Sequence, residues 1–156
     1  MPWSFFDKYG NVKKAASALV GQKLDYVERT TEASITATSQ ATANTVITGN
    51  SITLDGLSDI EIEFYIPDPG SPGTAQDLWI GVFDGATCLG AARLSASNGN
   101  IRAPISYKRR LTTPSAGAHQ YIAKAWTSSG TGSLGAGAGG PTNDKIPMYL
   151  LVKKAS

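Results

Sequence analysis

The sequence predicts an all-β domain, an antiparallel jelly-roll β-sandwich of roughly nine or ten strands with an extended N-terminal arm. Three observations support this. Ile60, Ile62, Phe64 and Ile66 take every second position of IEIEFYI, which places the apolar side chains on one face of a strand. The 17 glycines and 8 prolines suit many short turns. No helical period of useful length follows Val20.

Composition limits the functions that the chain can have. A length of 156 residues suits one domain with its own core. The net charge of +2 is too small to indicate nucleic-acid binding. The one cysteine, Cys88, allows no internal disulfide, and we expect it in the core as a small apolar residue. We expect no membrane insertion, since no apolar run reaches ~20 residues. We expect synthesis in a cytoplasm, since no signal peptide is recognisable.

The first segment differs from the rest, so we divide the chain into an arm, residues 1–23, and a jelly-roll domain, residues 24–156. The arm contains Trp3, Phe5, Phe6 and Tyr9. Aromatic anchors carry much of the energy of protein interfaces, so these residues predict docking to another protein. The other interpretation is a terminus whose aromatic residues fold back onto the domain.

Strands are expected first at LDYVERT, ASITATS and NTVIT. Ile52 and Leu54 have the same period as 60–66, and the Asp55-Gly56 turn between the two pieces predicts a hairpin. Residues 67–74, PDPGSPGT, are expected to form a loop because three prolines and two glycines cannot hold a ladder.

The second half continues with the same signals. DLWIGVF, the Asp84-Gly85 turn and TCLGAARL predict a hairpin. Pro104 predicts an edge strand after the loop at 95–100. TPSAGAH is expected to be a turn, HQYIAKAW a strand, and 130–144 a loop with one short strand near 133–136. In the last strand, IPMYLLVKK, we expect Ile146, Met148, Leu150 and Val152 to face inward.

We find no catalytic constellation, no metal ligands and no cofactor motif in context. GTGSLG, 130–135, matches a dinucleotide fingerprint, but Gly and Pro follow where a helix should begin. His119 is the single histidine, and we expect it to be hydrogen-bonded near a turn. Glu61 and Glu63 share one strand face, which permits glycoside hydrolysis or calcium binding, but a solvated outer face is the commoner explanation.

The densest basic cluster is Lys108, Arg109 and Arg110, with only Tyr107 beside it. Nucleic-acid modules interleave such charges with several stacking aromatics. We therefore expect no nucleic-acid partner, and interpret the cluster as a solvated strand end or a contact to an acidic partner.

ITLDGLSDIEIEFYIP, LWIGVFDGATCLG, TTPSAGAHQYIAKAW and the closing IPMYLLVKK resemble segments of small virion proteins of tailed bacteriophages. WSFFDKYGNVKK is similar to the start of such proteins. The resemblance covers most of residues 45 to 153. It implies a jelly roll similar to the tumour-necrosis-factor and complement globular-head folds, behind a short arm.

The resemblance implies a non-enzymatic homotrimer at the virion surface, made in the host cytoplasm. Its arm would bind a capsid or tail protein, and its outer loops, expected at 67–74, 95–100 and 130–144, would contact a host glycan or protein. The alternative is a carbohydrate-binding, lectin-like tail module. Trp126 and Tyr121 are its candidate ligand-facing residues, with Trp79 as a third stacking platform. Core packing is the other interpretation for all three, and it is favoured for Trp79.

Overall fold

The computed structural model describes residues 20–71, 73, 76–95, 102–137 and 145–155, and these residues form an antiparallel all-β structure. The predicted fold class is confirmed. The strands are β1 (Lys23–Arg29), β2 (Ala33–Ile35), β3 (Asn44–Thr48), β4 (Ile52–Leu54), β5 (Ile60–Ile66), β6 (Asp68–Gly70), β7 (Asp77–Asp84), β8 (Thr87–Ser95), β9 (Ile105–Leu111), β10 (Gly117–His119), β11 (Tyr121–Thr127), β12 (Gly132–Gly135) and β13 (Met148–Lys154). One 3-10 turn, Gln40–Thr42, precedes β3.

Eight of the strands form two four-stranded sheets. Sheet 1 has the order β1-β13-β5-β9, and sheet 2 has the order β3-β11-β7-β8. Counted along the chain, the eight strands therefore lie in the orders 1-8-3-6 and 2-7-4-5, with successive strands alternating between sheets except at the β7–β8 hairpin. This is the connectivity of a jelly roll.

The core lies between the two sheets and is built from one face of each. In β5 the buried positions are Ile60, Ile62, Phe64 and Ile66, which alternate with partly exposed residues as the sequence predicts. The opposite sheet supplies buried side chains at Leu78, Ile80, Val82, Tyr121, Ala123 and Ala125, and β13 adds Met148, Leu150 and Val152. Burial of these apolar side chains is the main stabilising contribution to the fold.

The strand register distinguishes two ends of the sandwich. Lys23 pairs with Lys153 near one end of sheet 1, and Arg29 pairs with Met148 near the other. We call the first the arm end and the second the loop end. The arm end comprises residues 20–22, 55–58, 84–86, 112–119 and 154–155. The loop end comprises residues 30–32, 67–71, 102–104, 128–131 and 145–147.

The hairpin expected across Asp55-Gly56 is wrong. Gly56 has the positive φ of 71° that such a turn uses, but β4 pairs with β10, while β5 lies between β13 and β9. The physical reason is the number of ladder bonds available. Each seven-residue neighbour of β5 matches it over most of its length, whereas β4 has only three residues to offer.

Two other segments differ from expectation. Part of the loop expected at 67–74 forms β6, which is possible because β6 is an edge strand beside β12, where Pro69 costs no ladder bond. The turn expected at TPSAGAH ends in β10. With these additions the described residues contain thirteen strands rather than nine or ten.

Three side-chain placements can be compared with the sequence predictions. Pro104 precedes β9, which is an edge strand as expected. Ile146 is 51% exposed, so the inward position predicted for it is wrong, because β13 begins only at residue 148. Cys88 is half-buried opposite Phe83 rather than in the core, since a β-bulge between Val82 and Phe83 shifts the register there.

Candidate functional site

The predicted docking residues Trp3, Phe5, Phe6 and Tyr9 lie outside the described residues. The structure does show where the described chain begins. Gly21 N donates to Lys154 O at 2.8 Å, and Lys154 N donates to Gln22 O at 2.9 Å. The chain that precedes residue 20 is therefore attached to the arm end of the sandwich.

The described residues of the three loops predicted to face outward lie at the opposite end. β6, from the first loop, and β2 lie on either side of β12, from the third loop, in a three-stranded sheet. Arg102, just beyond the second loop, forms a bridge with Gly70. The described parts of the three loops thus share the loop end, which the sequence did not indicate.

Asp68 connects these loops electrostatically. Its Oδ2 lies 2.8 Å from Lys145 Nζ and 2.7 Å from Arg102 Nη1. The hydrogen bond from Lys145, with the charge of Arg102, lowers the pKa of Asp68. The ionised carboxylate therefore holds three chain segments together.

The candidate ligand-facing residues have different surroundings. Tyr121 is 1% exposed and its ring stacks on that of His119 at 6.0 Å, so it is a core residue in this structure and does not face a ligand. Trp126 is 8% exposed on the outer face of sheet 2. Trp79, for which core packing was the other interpretation, is half-buried on that same outer face, since leucine and isoleucine take the inward positions of β7.

An aromatic row crosses the outer face of sheet 2. Trp79 and Trp126 are cross-strand partners with parallel rings, their centroids 6.0 Å apart and the interplanar angle 1°. Phe83 meets Trp126 edge-on at 6.5 Å. The row carries a cation at each end, Arg93 at 5.5 Å from the Trp79 ring and Lys124 at 4.7 Å from the Phe83 ring. Such contacts stabilise the cluster and cover part of its π-surface.

Glu61 and Glu63 each form an ion pair with a lysine of a neighbouring strand. Lys153 Nζ lies 2.8 Å from Glu61, and Lys108 Nζ lies 3.2 Å from Glu63. Burial of Glu63 opposes its ionisation, but hydrogen bonds from Tyr149, Lys108 and Ser106 outweigh this and lower its pKa. A general acid needs a raised pKa, so this geometry is that of a solvated outer face with cross-strand ion pairs.

The basic cluster, Lys108, Arg109 and Arg110, also forms ion pairs with carboxylates of the same chain. Lys108 pairs with Glu63, and Arg110 Nη2 lies 2.8 Å from Asp59 Oδ2. Two of the three cations are thus compensated within the chain. Among the described residues no group of three or more His, Cys, Asp or Glu is placed to hold a metal ion, and no described helix is long and apolar enough to cross a membrane.

The sequence analysis missed one cluster, Asp84, Ser115 and His119. His119 Nδ1 lies 2.6 Å from Asp84 Oδ2, while Nε2 lies 2.8 Å from the main-chain O of Ser115 and 3.3 Å from its Oγ. The residue types are those of a catalytic triad. However, Nε2 lies closer to the main-chain O of Ser115 than to its Oγ, so the ring is directed at the carbonyl rather than at the hydroxyl. The hydrogen bond with Asp84 raises the pKa of His119. No sequence signal links residues 84 and 119, which are 35 positions apart.

No protein-family model matches the chain, and no curated protein does. Similar solved structures include the VP2 subviral particle of infectious bursal disease virus, with 12% identity and a TM-score of 0.47 over 99% of this chain and 42% of that one. Another is the CBM22-1 xylan-binding domain of Xyn10C from Paenibacillus barcinonensis, with 10% identity and a TM-score of 0.30 over 90% of this chain and 99% of that one. The chain spans less than half the length of VP2. Similarities at this level assign neither a function nor a ligand.

Proposed function

We propose that this chain is a non-enzymatic structural protein of a tailed-bacteriophage virion. It forms a homotrimeric jelly roll at the particle surface, anchored to a head or tail protein by its N-terminal arm. The outward end contacts the host surface. The protein is made in the host cytoplasm and carries no cofactor.

The observation that carries the proposal is the polarity of the sandwich. The chain preceding residue 20 is attached at one end, through the bond from Gly21 to Lys154, and the described parts of the three candidate loops share the other. An anchored surface protein needs this separation, because its anchor and its contact loops must face in opposite directions. The jelly roll itself is a fold of viral capsid and lectin domains, although a fold alone does not define a function.

The sequence resemblance to virion proteins of tailed bacteriophages is the reason for proposing a phage particle. The aromatic residues of WSFF fit a docking segment, because aromatic side chains bury a large area with few rotatable bonds. A trimer would increase affinity for a host surface, since three weak sites on one particle act together.

Two local geometries support a role without catalysis. Glu61 and Glu63 are each neutralised by a lysine. His119 has both ring nitrogens engaged, by Asp84 and by Ser115. Neither arrangement leaves a group with the free acid or base function that hydrolysis needs.

Two measurements test the proposal. The mass in solution should be three times that of the 16.3 kDa chain. Immunogold labelling of purified virions with an antibody against the domain should decorate the head or the tail at regular positions. A monomer in solution would refute the trimer, and particles that stay unlabelled while antibody binds the free protein would refute the virion location.

A carbohydrate-binding tail module is the second candidate function. Its support is Trp79, half-buried on an outer sheet face with the Arg93 guanidinium 5.5 Å from its ring. A half-buried indole beside a charged hydrogen-bond donor offers an apolar surface and a polar group for contact with a sugar. A glycan array with the full chain should show binding that Trp79→Ala abolishes. Trp126→Ala is the comparison, because Trp126 is the less exposed ring and stacks on Trp79. If Trp79 contacts the sugar directly, Trp126→Ala should weaken binding less than Trp79→Ala does.

A further inference from the structure

The arm end of the sandwich presents two of the most exposed large apolar side chains among the described residues. Leu57 is 82% exposed and Val20 is 69% exposed. A single exposed leucine is ordinary. Here the two flank the end of β13, since Gly21 bonds Lys154 O and Lys154 Nζ reaches Asp55 and Ser58 in the turn that carries Leu57.

Leu57 is held outward by a rigid turn. Asp55 Oδ1 accepts hydrogen bonds from Leu57 N at 2.9 Å and Ser58 N at 2.8 Å, and its Oδ2 accepts from Ser58 Oγ at 2.8 Å. These donors, the N–H of Leu57 first, hold the pKa of Asp55 far below its ordinary value. The backbone of Leu57 is therefore held in place, and little backbone conformational entropy is lost when a partner buries the side chain.

The surroundings of Leu57 are small and apolar. An added Cβ on Gly56 would lie 3.0 Å from the Ala116 backbone, so the Asp55 turn and the segment before β10 are in contact. Ala116 and Ala118 are exposed beside them. Leu57, Val20, Ala116 and Ala118 are exposed apolar side chains at this end of the sandwich, and we call them the apolar centre of the arm end.

Two ion pairs lie beside this centre. Lys154 Nζ lies 3.2 Å from Asp55 Oδ2, and Arg110 Nη2 lies 2.8 Å from Asp59 Oδ2. Because these charges are compensated within the chain, the apolar side chains between them complement an uncharged apolar pocket.

We propose that the arm end is a second docking surface, on which Leu57 inserts into an uncharged apolar pocket of the virion protein that holds the N-terminal arm. The inference rests on the proposed function, and the position of the arm's attachment supplies its argument. Residue 20 lies on this surface, so a protein that holds the arm is brought against it. Contact by the folded domain would fix its orientation on the particle, in addition to the anchoring by the arm.

The experiment compares Leu57→Asp with Ile146→Asp in the full chain. Ile146 is a matched control, because it is a large apolar residue that is 51% exposed at the loop end. Virions are assembled with each variant gene, purified, and the copies per particle are counted by quantitative gel electrophoresis. We expect Leu57→Asp to lower the copies per particle about tenfold or more, as for an interface anchor, and Ile146→Asp to leave them unchanged.

Equal incorporation of both variants overturns the inference and leaves the proposed function standing, whereas a wild-type protein missing from particles refutes the proposed function itself. Two further measurements identify other occupants of the surface. If Leu57→Asp lowers the mass of the free protein, the surface binds a second copy. If it lowers the melting temperature relative to Ile146→Asp, the chain's own residues cover it. Either result also overturns the inference.

Discussion

The His119 imidazole joins the end of β7 to the segment that leads into β11, with Nδ1 2.6 Å from Asp84 Oδ2 and Nε2 2.8 Å from Ser115 O. It is the one histidine in the sequence. The ring is mostly shielded, since its side chain is 11% exposed, and the Tyr121 ring stacks on it at 6.0 Å. The protonated imidazole can donate to both oxygens, whereas the neutral ring can donate to only one of them.

The stability of the domain should therefore fall as the pH rises through the folded-state pKa of His119. Asp84 raises the pKa of His119 above 6.5. The cation's contribution is fully present below a pH of about 6.5 and is lost as the pH rises through the folded-state pKa. In urea unfolding, His119→Gln should lower the free energy of unfolding by about 1.5 to 3 kcal/mol at low pH and by less at high pH. An NMR titration that placed the pKa of His119 at or below 6.5 would contradict this.

Asp25 should be a stabilising buried carboxylate. It is 7% exposed and accepts hydrogen bonds from Asn50 N, Asn50 Nδ2 and Tyr26 N at 2.8 to 2.9 Å. Asp25→Ala leaves these donors without their acceptor, which costs about 1 to 3 kcal/mol. Chemical denaturation measures the loss, with exposed Glu32→Ala as the control for removing one negative charge. A loss no greater than that of the control would show that water replaces the carboxylate.

Two tyrosines should respond oppositely to removal of the hydroxyl. Tyr121 Oη is buried with no hydrogen-bond partner among the described residues, while Tyr149 Oη donates to Glu63 Oε1 at 2.9 Å. Tyr121→Phe should be neutral or stabilising, because it removes an uncompensated polar group. Tyr149→Phe should lower stability by about 1 kcal/mol. A clear destabilisation by Tyr121→Phe would mean that its hydroxyl has a partner.

Deletion of residues 1–20 should leave a folded, soluble oligomer that no longer joins particles. The ladder bonds of the described β1 begin beyond the cut, with Gly21 N on Lys154 O, so the deletion removes none of them. Circular dichroism and mass in solution report the fold, and copies per purified particle report docking. An unfolded product would place the arm within the core and refute the docking role of Trp3, Phe5 and Phe6.

The face that each strand presents could be read from the sequence wherever alternation was complete. Ile60 to Ile66 and Met148 to Val152 bury the side chains that their period assigns. Ile146 fails because it precedes the strand, and Cys88 fails because a bulge shifts the register beside it. An element boundary and a one-residue bulge leave no mark on local periodicity.

The positions of the candidate site residues could be predicted from the sequence less well than the strand faces. Tyr121 and Trp126 were candidates because aromatic rings suit ligands, yet burial separates Tyr121 from solvent and leaves Trp79 as the more exposed indole. Asp84, Ser115 and His119 gave no combined signal, since each is ordinary in its own turn. Their proximity arises because β7 and β11 are neighbours in sheet 2.

The sequence by itself determined the class of the fold and the inward side of the long strands, because a period of two is a property of neighbouring residues. Only the tertiary structure decided that β5 pairs with β13 and β9 rather than β4, and that the arm's attachment and the three loops lie at opposite ends. Strand pairing is chosen by the total ladder and core contact over the whole chain. That sum depends on residues far apart in sequence, so no local pattern can report it.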